Sequence, residues 1–402
     1  MMKDKLLSFE EARATLLAAV RPVTAIDEVD TGAALGRVLA RGLRSAINQP
    51  AFDAAMMDGY AVRTADLTQA GQRLPVSQRI AAGNLGHRLA PGTVARIFTG
   101  APLPDEADAV VMQELCELDG ELVKFNTVPR PGEHVRRLGQ EVKQGSEVLA
   151  AGCRLKPQQL ALAAAVGAAQ LPVFRRLRVA LFSTGSELVM PGEPLPPGHI
   201  YNSNRFLLRA LLQSLGCEVE DLGIIPDDLT RTREVLRIAA EGRDLVLSSG
   251  GVSVGEEDHV KPAVEAEGRL ELWKLAMKPG KPLAFGQVHG AAFIGLPGNP
   301  VSSLVTFLML VRPFILASQG VTEVQPQAFM LPAAFDWPQP DRRREFLRVR
   351  VNEAGMLELY PDQGSAALPA TVWASGLADI PPATVIERGQ PLAYLPFSSL
   401  LD

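Results

Sequence analysis

The stretch DLVLSSGGVSVGEEDHV, Asp244–Val260, decides how the chain is read, together with WKLAMKPGKP, Trp273–Pro282. Leu245, Val246 and Leu247 are consecutive apolar residues, the pattern of a strand covered on both faces in a parallel sheet. The run ends in Ser248-Ser249-Gly250-Gly251, where side chains shrink and backbone N–H groups can gather round an anion. Carboxylates follow at Glu256, Glu257 and Asp258, and cations at Lys274, Lys278 and Lys281. A glycine-rich turn, acids suited to Mg²⁺ and lysines suited to phosphate are the parts of phosphoryl chemistry. Any one of them alone is an ordinary loop feature, so the reading depends on what surrounds them.

Outward on both sides, strand and helix patterns alternate. Val179–Phe182 reads as a strand ending in Ser183-Thr184-Gly185-Ser186-Glu187, and Val219–Ile225 as another ending in Pro226-Asp227-Asp228. Helices are expected at Asn204–Leu215, with Phe206, Leu207, Ala210, Leu211 and Leu215 inward, and at Thr230–Ala240. Leu283–Phe285 and Ala292–Ile294 read as strands, the second ending in Leu296-Pro297-Gly298-Asn299-Pro300. A long apolar helix, Val301–Leu316, follows. This alternation predicts a doubly wound α/β domain on a parallel sheet over residues 178–325. In such a sheet the carboxyl ends of the strands share one crevice, so Glu187, Asp227, the Gly250 turn and the Gly298 turn should converge.

The flanks read differently. Ser8-Phe9-Glu10-Glu11 is a capping box opening a helix that ends before Pro22. Thr31–Leu39 has a helix-like apolar side, and Pro157–Ala169 reads as an Ala-rich helix. Between them, residues 51–144 show short alternating runs broken by Gly and Pro, the pattern of a small β-rich domain. The reading is a helical stalk, residues 1–50 and 145–177, interrupted by that insertion. Within the insertion, Pro50–Arg63 (PAFDAAMMDGYAVR) carries Asp58, and Thr99-Gly100-Ala101-Pro102 offers a hydroxyl. Residues 319–341 read as a Pro-rich linker, and residues 326–402 as a small C-terminal β domain.

The 402 residues allow two to four domains at ~100–200 residues each. The apolar share of 47% and charged share of 21% suit a globular chain with real cores. A net charge of −5 argues against nucleic acid as a partner. Cys116, Cys153 and Cys217 are scattered, giving neither zinc spacing nor a disulfide framework, which points to a reducing cytoplasm. The N-terminus has no signal-like apolar region, and the longest apolar stretch, Leu160–Ala169, is too short to span a bilayer, so no membrane is expected.

Among the chemical residues, Asn299 at the cap and Pro300 at the first turn open a helix whose N–H groups favour anions. Lys278-Pro279-Gly280-Lys281-Pro282 fixes two cations on a stiff turn. Glu187, Asp227 and Asp258 could share a Mg²⁺ through hard oxygen ligands. His259 is a possible base by type only, and Met and Phe on the Val301 helix read as core.

MMDGYAVR, FTGAPLP, STGSEL, GIIPDD, SSGGVSVGEEDHV, KLAMKPGKPLAFG and GLPGNPVSS occur in this order. Together they resemble the molybdopterin molybdenumtransferase family, to which the E domain of gephyrin belongs, over nearly the whole chain. The resemblance implies a helical stalk, an inserted β-rich domain, the α/β domain and a C-terminal β barrel. It implies a homodimer whose site lies between one subunit's α/β domain and the partner's inserted domain. The implied reaction inserts molybdenum from molybdate into adenylylated molybdopterin with Mg²⁺ and releases AMP, and other enzymes of molybdenum cofactor biosynthesis are implied partners. By motif, Asp58, Thr99, Glu187, Asp227, Asp258, Lys274 and Lys278 are its catalytic residues, and Glu187, Asp227 and Asp258 its metal ligands. Ser249, Gly250, Gly251, Ser253, Gly255, Lys281, Pro297, Gly298, Asn299 and Pro300 would hold the pterin nucleotide. Two departures stand out. Glu141 replaces the family Asp in Gly139-Gln140-Glu141, and residues 366–380 lack the expected patterns although Gln363-Gly364-Ser365 agrees. A nucleotide pyrophosphatase or adenylyltransferase on the same α/β module, or a non-catalytic scaffold, are the competing readings.

Overall fold

The computed structural model describes residues 6–252 and 259–401, apart from the side chains of Leu272 and Trp273. Its centre is a seven-stranded sheet in the order Leu6–Leu7, Gly268–Leu275, Pro282–Val288, Ala291–Leu296, Leu245–Ser249, Arg178–Thr184, Glu218–Ile225. The Leu245–Ser249 strand is buried throughout, as its unbroken apolar run requires. Alternate residues feed opposite layers. Val179, Leu181, Leu245 and Leu247 meet Leu208 and Leu212 of the Ser203–Ser214 helix and the Pro300–Ser318 segment. Ala180, Phe182 and Val246 meet Val235 and Leu236 of Leu229–Ala240, and Val260 and Val264 of Val260–Glu267. Burying each of these Val, Leu and Phe side chains contributes roughly 1.5–3 kcal/mol, so the sheet is held from both faces.

Three details of this α/β domain differ from what its sequence predicts. The sheet is mixed: the four strands from Ala291–Leu296 to Glu218–Ile225 are parallel, whereas Gly268–Leu275, Pro282–Val288 and Ala291–Leu296 pair antiparallel. The Gly290 turn (φ +92°) joins two of these strands directly, with no room for a crossover helix. On the Ser203–Ser214 helix, Phe206 faces out while Leu208 and Leu212 are buried, a rotation of the inward face by about one residue. The Pro300–Ser318 segment is long and apolar enough to cross a membrane (19 residues, mean hydropathy 1.8), unlike the ten-residue stretch singled out from sequence, but 94% of it is buried inside the protein. Its middle, Phe307–Val311, widens into a π turn just before Pro313, whose ring cannot donate to the preceding turn.

The capping box at Ser8 forms: Glu11 N–H donates to Ser8 Oγ at 3.1 Å, and Ser8 N–H donates to Glu11 at 2.9 Å. The helix it opens, Phe9–Ala18, packs through Phe9, Ala12 and Leu16 into the α/β core. The connector to the inserted domain is mostly strand pairs, Ile26–Asp30 with Gln170–Phe174 and Leu43–Arg44 with Glu147–Leu149, plus the helix Pro157–Ala165. The expected helix over Thr31–Leu39 is one 3₁₀ turn, Thr31–Ala33, because Gly36 (φ +73°) turns the chain and Val38 and Leu39 then bridge to Arg154 and Val173.

The inserted domain is a six-stranded sheet in the order Ala109–Met112, Gly59–Val62, Val94–Ile97, Arg73–Ile80, Leu122–Phe125, Cys116–Asp119. The C-terminal domain is a six-stranded sheet of Arg344–Val351, Gly376–Ile380, Pro391–Pro396, Phe329–Pro332 and Leu357–Leu359, completed by Met277–Lys278 from the α/β chain segment. The strand Phe329–Pro332 lies within the stretch read from sequence as linker.

Candidate functional site

The parallel strands end at a cleft of about 1060 Å³. Thr184, Gly185, Glu187, Asp227, Ser249–Val252 and Pro297–Pro300 all line it, so the loops expected to converge do meet. The lining also includes Ile200–Asn204, Lys278–Pro282, and Arg343 and Gln363–Ala366 of the C-terminal domain.

Each loop is pinned. Ser186 donates to Asp227 Oδ2 through its N–H at 2.8 Å and its hydroxyl at 2.9 Å. Glu187 folds back over Gly185 (φ +146°), where a Cβ would stand 2.6 Å from Glu187 Oε2. Any larger residue at 185 would displace that carboxylate. Asn204 Nδ2 donates to the Gly298 carbonyl at 2.7 Å, and Ser303 Oγ donates to the Pro297 carbonyl at 2.9 Å. Gly250 (φ +87°) and Gly251 (φ +67°) take the left-handed conformation, and Gly250 N–H donates to the Leu296 carbonyl at 3.0 Å rather than standing open to an anion. Asn299 does not cap its helix with its side chain. Instead Nδ2 donates to Ser365 Oγ at 3.1 Å, and the Ser365 carbonyl accepts from Val301 N–H at 3.1 Å. The C-terminal domain thus supplies a helix cap for the α/β domain.

Lys278 Nζ lies 2.9 Å from Oε1 of buried Glu345 and 3.6 Å from Asp341 Oδ2. Arg343 binds both oxygens of Asp341, which holds that carboxyl well below the usual carboxylate range. Lys281 lines the cleft nearby and is exposed. Arg348, fully buried, donates to the Phe346 and Gly364 carbonyls and so supports the Gln363–Ser365 turn; burial lowers its guanidinium to about 10.

Several expected residues lie elsewhere. Lys274 sits on the strand Gly268–Leu275, in register with Leu6 and Pro282, outside the cleft lining. It is the penultimate residue of that strand, flanked by Leu6 on one side and Pro282 on the other, and not part of a strand-end loop. Asp58 and Thr99 form a pair in the inserted domain: Asp58 Oδ1 accepts from Thr99 N–H at 2.8 Å and from its hydroxyl at 2.7 Å. Those two bonds hold the Asp58 carboxyl below its ordinary value. The pair is outside the cleft of its own chain, and Phe52, Met56 and Met57 around it are exposed. Glu141, the departure from the family Asp, pairs with Arg136. Ser253, Gly255 and Asp258 lie outside the described residues. Among the described residues no three His, Cys, Asp or Glu side chains gather as a metal site, so Glu187 and Asp227 are the carboxylates the cleft offers.

Sequence reasoning missed Asn202, Asn204, Arg343 and Glu345. Asn202 and Asn204 sit beside a short ribbon, Leu188–Val189 with Ile200–Tyr201, that carries no strand signal of its own. Arg343 and Glu345 belong to the run Asp341-Arg342-Arg343-Arg344-Glu345, which reads as a solvated charge cluster.

Family models match end to end: the MoeA N-terminal region (domain I and II) over residues 7–167, a probable molybdopterin binding domain over 180–317, and the MoeA C-terminal region (domain IV) over 330–397. The molybdopterin molybdenumtransferase of Haemophilus influenzae is 42% identical over 88% of this chain and 89% of its own. Molybdopterin molybdenumtransferase 2 of Mycobacterium tuberculosis is 38% identical over 92% and 93%. Among solved structures, a molybdopterin biosynthesis moeA protein from Pyrococcus horikoshii superposes with a TM-score of 0.85 at 28% identity, covering 97% of this chain and 100% of that one.

Proposed function

The chain belongs to the molybdopterin molybdenumtransferase family, and from that premise we propose that it transfers molybdenum from molybdate to adenylylated molybdopterin and releases AMP. One observation carries the reading. Four strand-end loops and the Lys278–Pro282 turn line a single cleft roomy enough for a nucleotide-sized ligand, with the cations Lys278, Lys281 and Arg343 and the carboxylates Glu187 and Asp227 in its lining.

Molybdate is a tetrahedral dianion, and Lys278, Lys281 and Arg343 form the basic wall it would meet. Glu187 and Asp227 suit Mg²⁺, which takes one or two carboxylates and completes its shell with water and substrate phosphate. Mg²⁺ held there would offset charge on the phosphate oxygens as AMP departs. The Gly250-Gly251 turn lets backbone approach a ligand closely, and Asn204 keeps the Gly298 turn at the rim. Asp58 and Thr99 reach such a site only from a second subunit, so we read the protein as a homodimer. Exposed Phe52, Met56 and Met57 beside the pair support that reading. The unpaired cysteines fit a cytoplasmic setting.

The test is AMP release from adenylylated molybdopterin by purified protein, with molybdate and Mg²⁺ added singly and together. Release that requires both supports the proposal. Equal release without molybdate makes the protein a simple pyrophosphatase.

A further inference from the structure

We propose that Glu345 is a positioning residue for Lys278, through which the C-terminal domain sets the orientation of the cleft's cation; this rests on the transfer reading above. Met277–Lys278 pairs in parallel with the Arg344–Val351 strand of the C-terminal sheet, Met277 opposite Arg344 and Lys278 opposite Glu345. The Glu345 side chain is 2% exposed, while that of Lys278 is 40% exposed and reaches the cleft. Oε1 faces the ammonium at 2.9 Å, and Oε2 accepts from Trp337 Nε1–H at 2.9 Å. A carboxylate this deep persists only with such partners, and it fixes their places in return.

The charge balance gives the proposal its direction. Lys278 and Arg343 stand beside Asp341 and Glu345, two cations against two carboxylates. The cluster is formally neutral, so Glu345 weakens the pull on an incoming dianion while fixing where Lys278 points. A group that orients without attracting acts on turnover and not on affinity.

Glu345→Gln keeps the shape and the indole partner but removes the charge. Its kcat should fall at least about tenfold, since small misplacements of a reacting group cost up to ~10²-fold. Its molybdate Kd, by equilibrium dialysis, should match wild type or be tighter. Glu345→Asp retains the charge and should recover part of the lost turnover. Trp337→Phe, which leaves the ion pair in place, should lower kcat less and leave Kd unchanged. A second readout needs no turnover. After reductive ¹³C-methylation, the Lys278 resonance, assigned with Lys278→Arg, should move to the position of solvent-exposed lysines in Glu345→Gln. Wild-type kcat in Glu345→Gln, or kcat and Kd weakening together with no recovery in Glu345→Asp, overturns the proposal. An unmoved Lys278 resonance does so too. If wild-type AMP release ignores molybdate, the transfer reading fails, and the lysine resonance still decides the positioning claim.

Discussion

Replacing Gly250 with alanine should damage the cleft floor in a way that replacing Gly298 does not. Gly250 has φ +87°, and an added Cβ would stand 2.6 Å from the Thr184 carbonyl oxygen and 3.1 Å from Thr184 Oγ1. The left-handed conformation costs an alanine roughly 1–2 kcal/mol. The overlap adds about 1–3 kcal/mol, because the contact is backbone at the end of a buried strand and cannot rotate away. A middle value near ~3 kcal/mol lowers the melting temperature of a domain this size by roughly 6–12 °C. Gly298 has no such conformation, and its Cβ would meet nothing within 4 Å, although the residue lines the cleft. Gly298→Ala should therefore melt within about 0.5 kcal/mol of wild type while weakening binding of the pterin nucleotide. Scanning calorimetry and a binding titration on both variants make the comparison. The reasoning fails if Gly250→Ala melts with wild type, or if Gly298→Ala melts as early as Gly250→Ala.

Three further outcomes follow from particular contacts. Phe9 is 2% exposed and meets Phe346 edge-on at 5.4 Å, so Phe9→Ala should destabilise the α/β core by about 3–5 kcal/mol in denaturant titration. Glu267 is held by Arg237, His289 and Arg233, which lower its carboxyl from 4.5 to about 2. A depressed carboxyl stabilises above its unfolded value and loses that contribution as pH falls through its folded one. The stability gap between wild type and Glu267→Gln should therefore be full at pH 6, shrink below pH 4.5 and close near pH 2. Asp58→Ala and Lys278→Ala should each be inactive alone, whereas mixed dimers should recover about a quarter of wild-type activity, because half of the dimers are mixed and each holds one intact site.

Much of this arrangement was legible in the sequence because strand ends carry their own punctuation. The unbroken run Leu245–Leu247 and the glycines after it located the central strand, and three similar junctions located its neighbours. Topology then did what no single motif could, since parallel strands deliver their carboxyl ends to one edge. The antiparallel extension escaped because Pro282–Val288 has the same apolar content as a parallel strand, and the Gly290 turn that reverses it is short. Thr31–Leu39 shows the opposite error: helical spacing is present, but the chain turns at Gly36 after a single 3₁₀ turn. Charged runs were the least readable. Lys274 and Lys278 look alike in sequence, yet Lys274 lies inside a strand of the central sheet and Lys278 meets Glu345 across a domain boundary. Only the register of Lys278 with Glu345 distinguishes them.

On the proposed function, these loops and the C-terminal domain form one receptacle for an oxoanion beside a nucleotide. Anomalous diffraction from crystals grown with molybdate and AMP locates the metal directly. A molybdenum peak is expected in the cleft bordered by Lys278, Lys281 and Ser365, with the nucleotide phosphate toward Glu187 and Asp227. A peak outside that cleft, with AMP bound elsewhere, would contradict it.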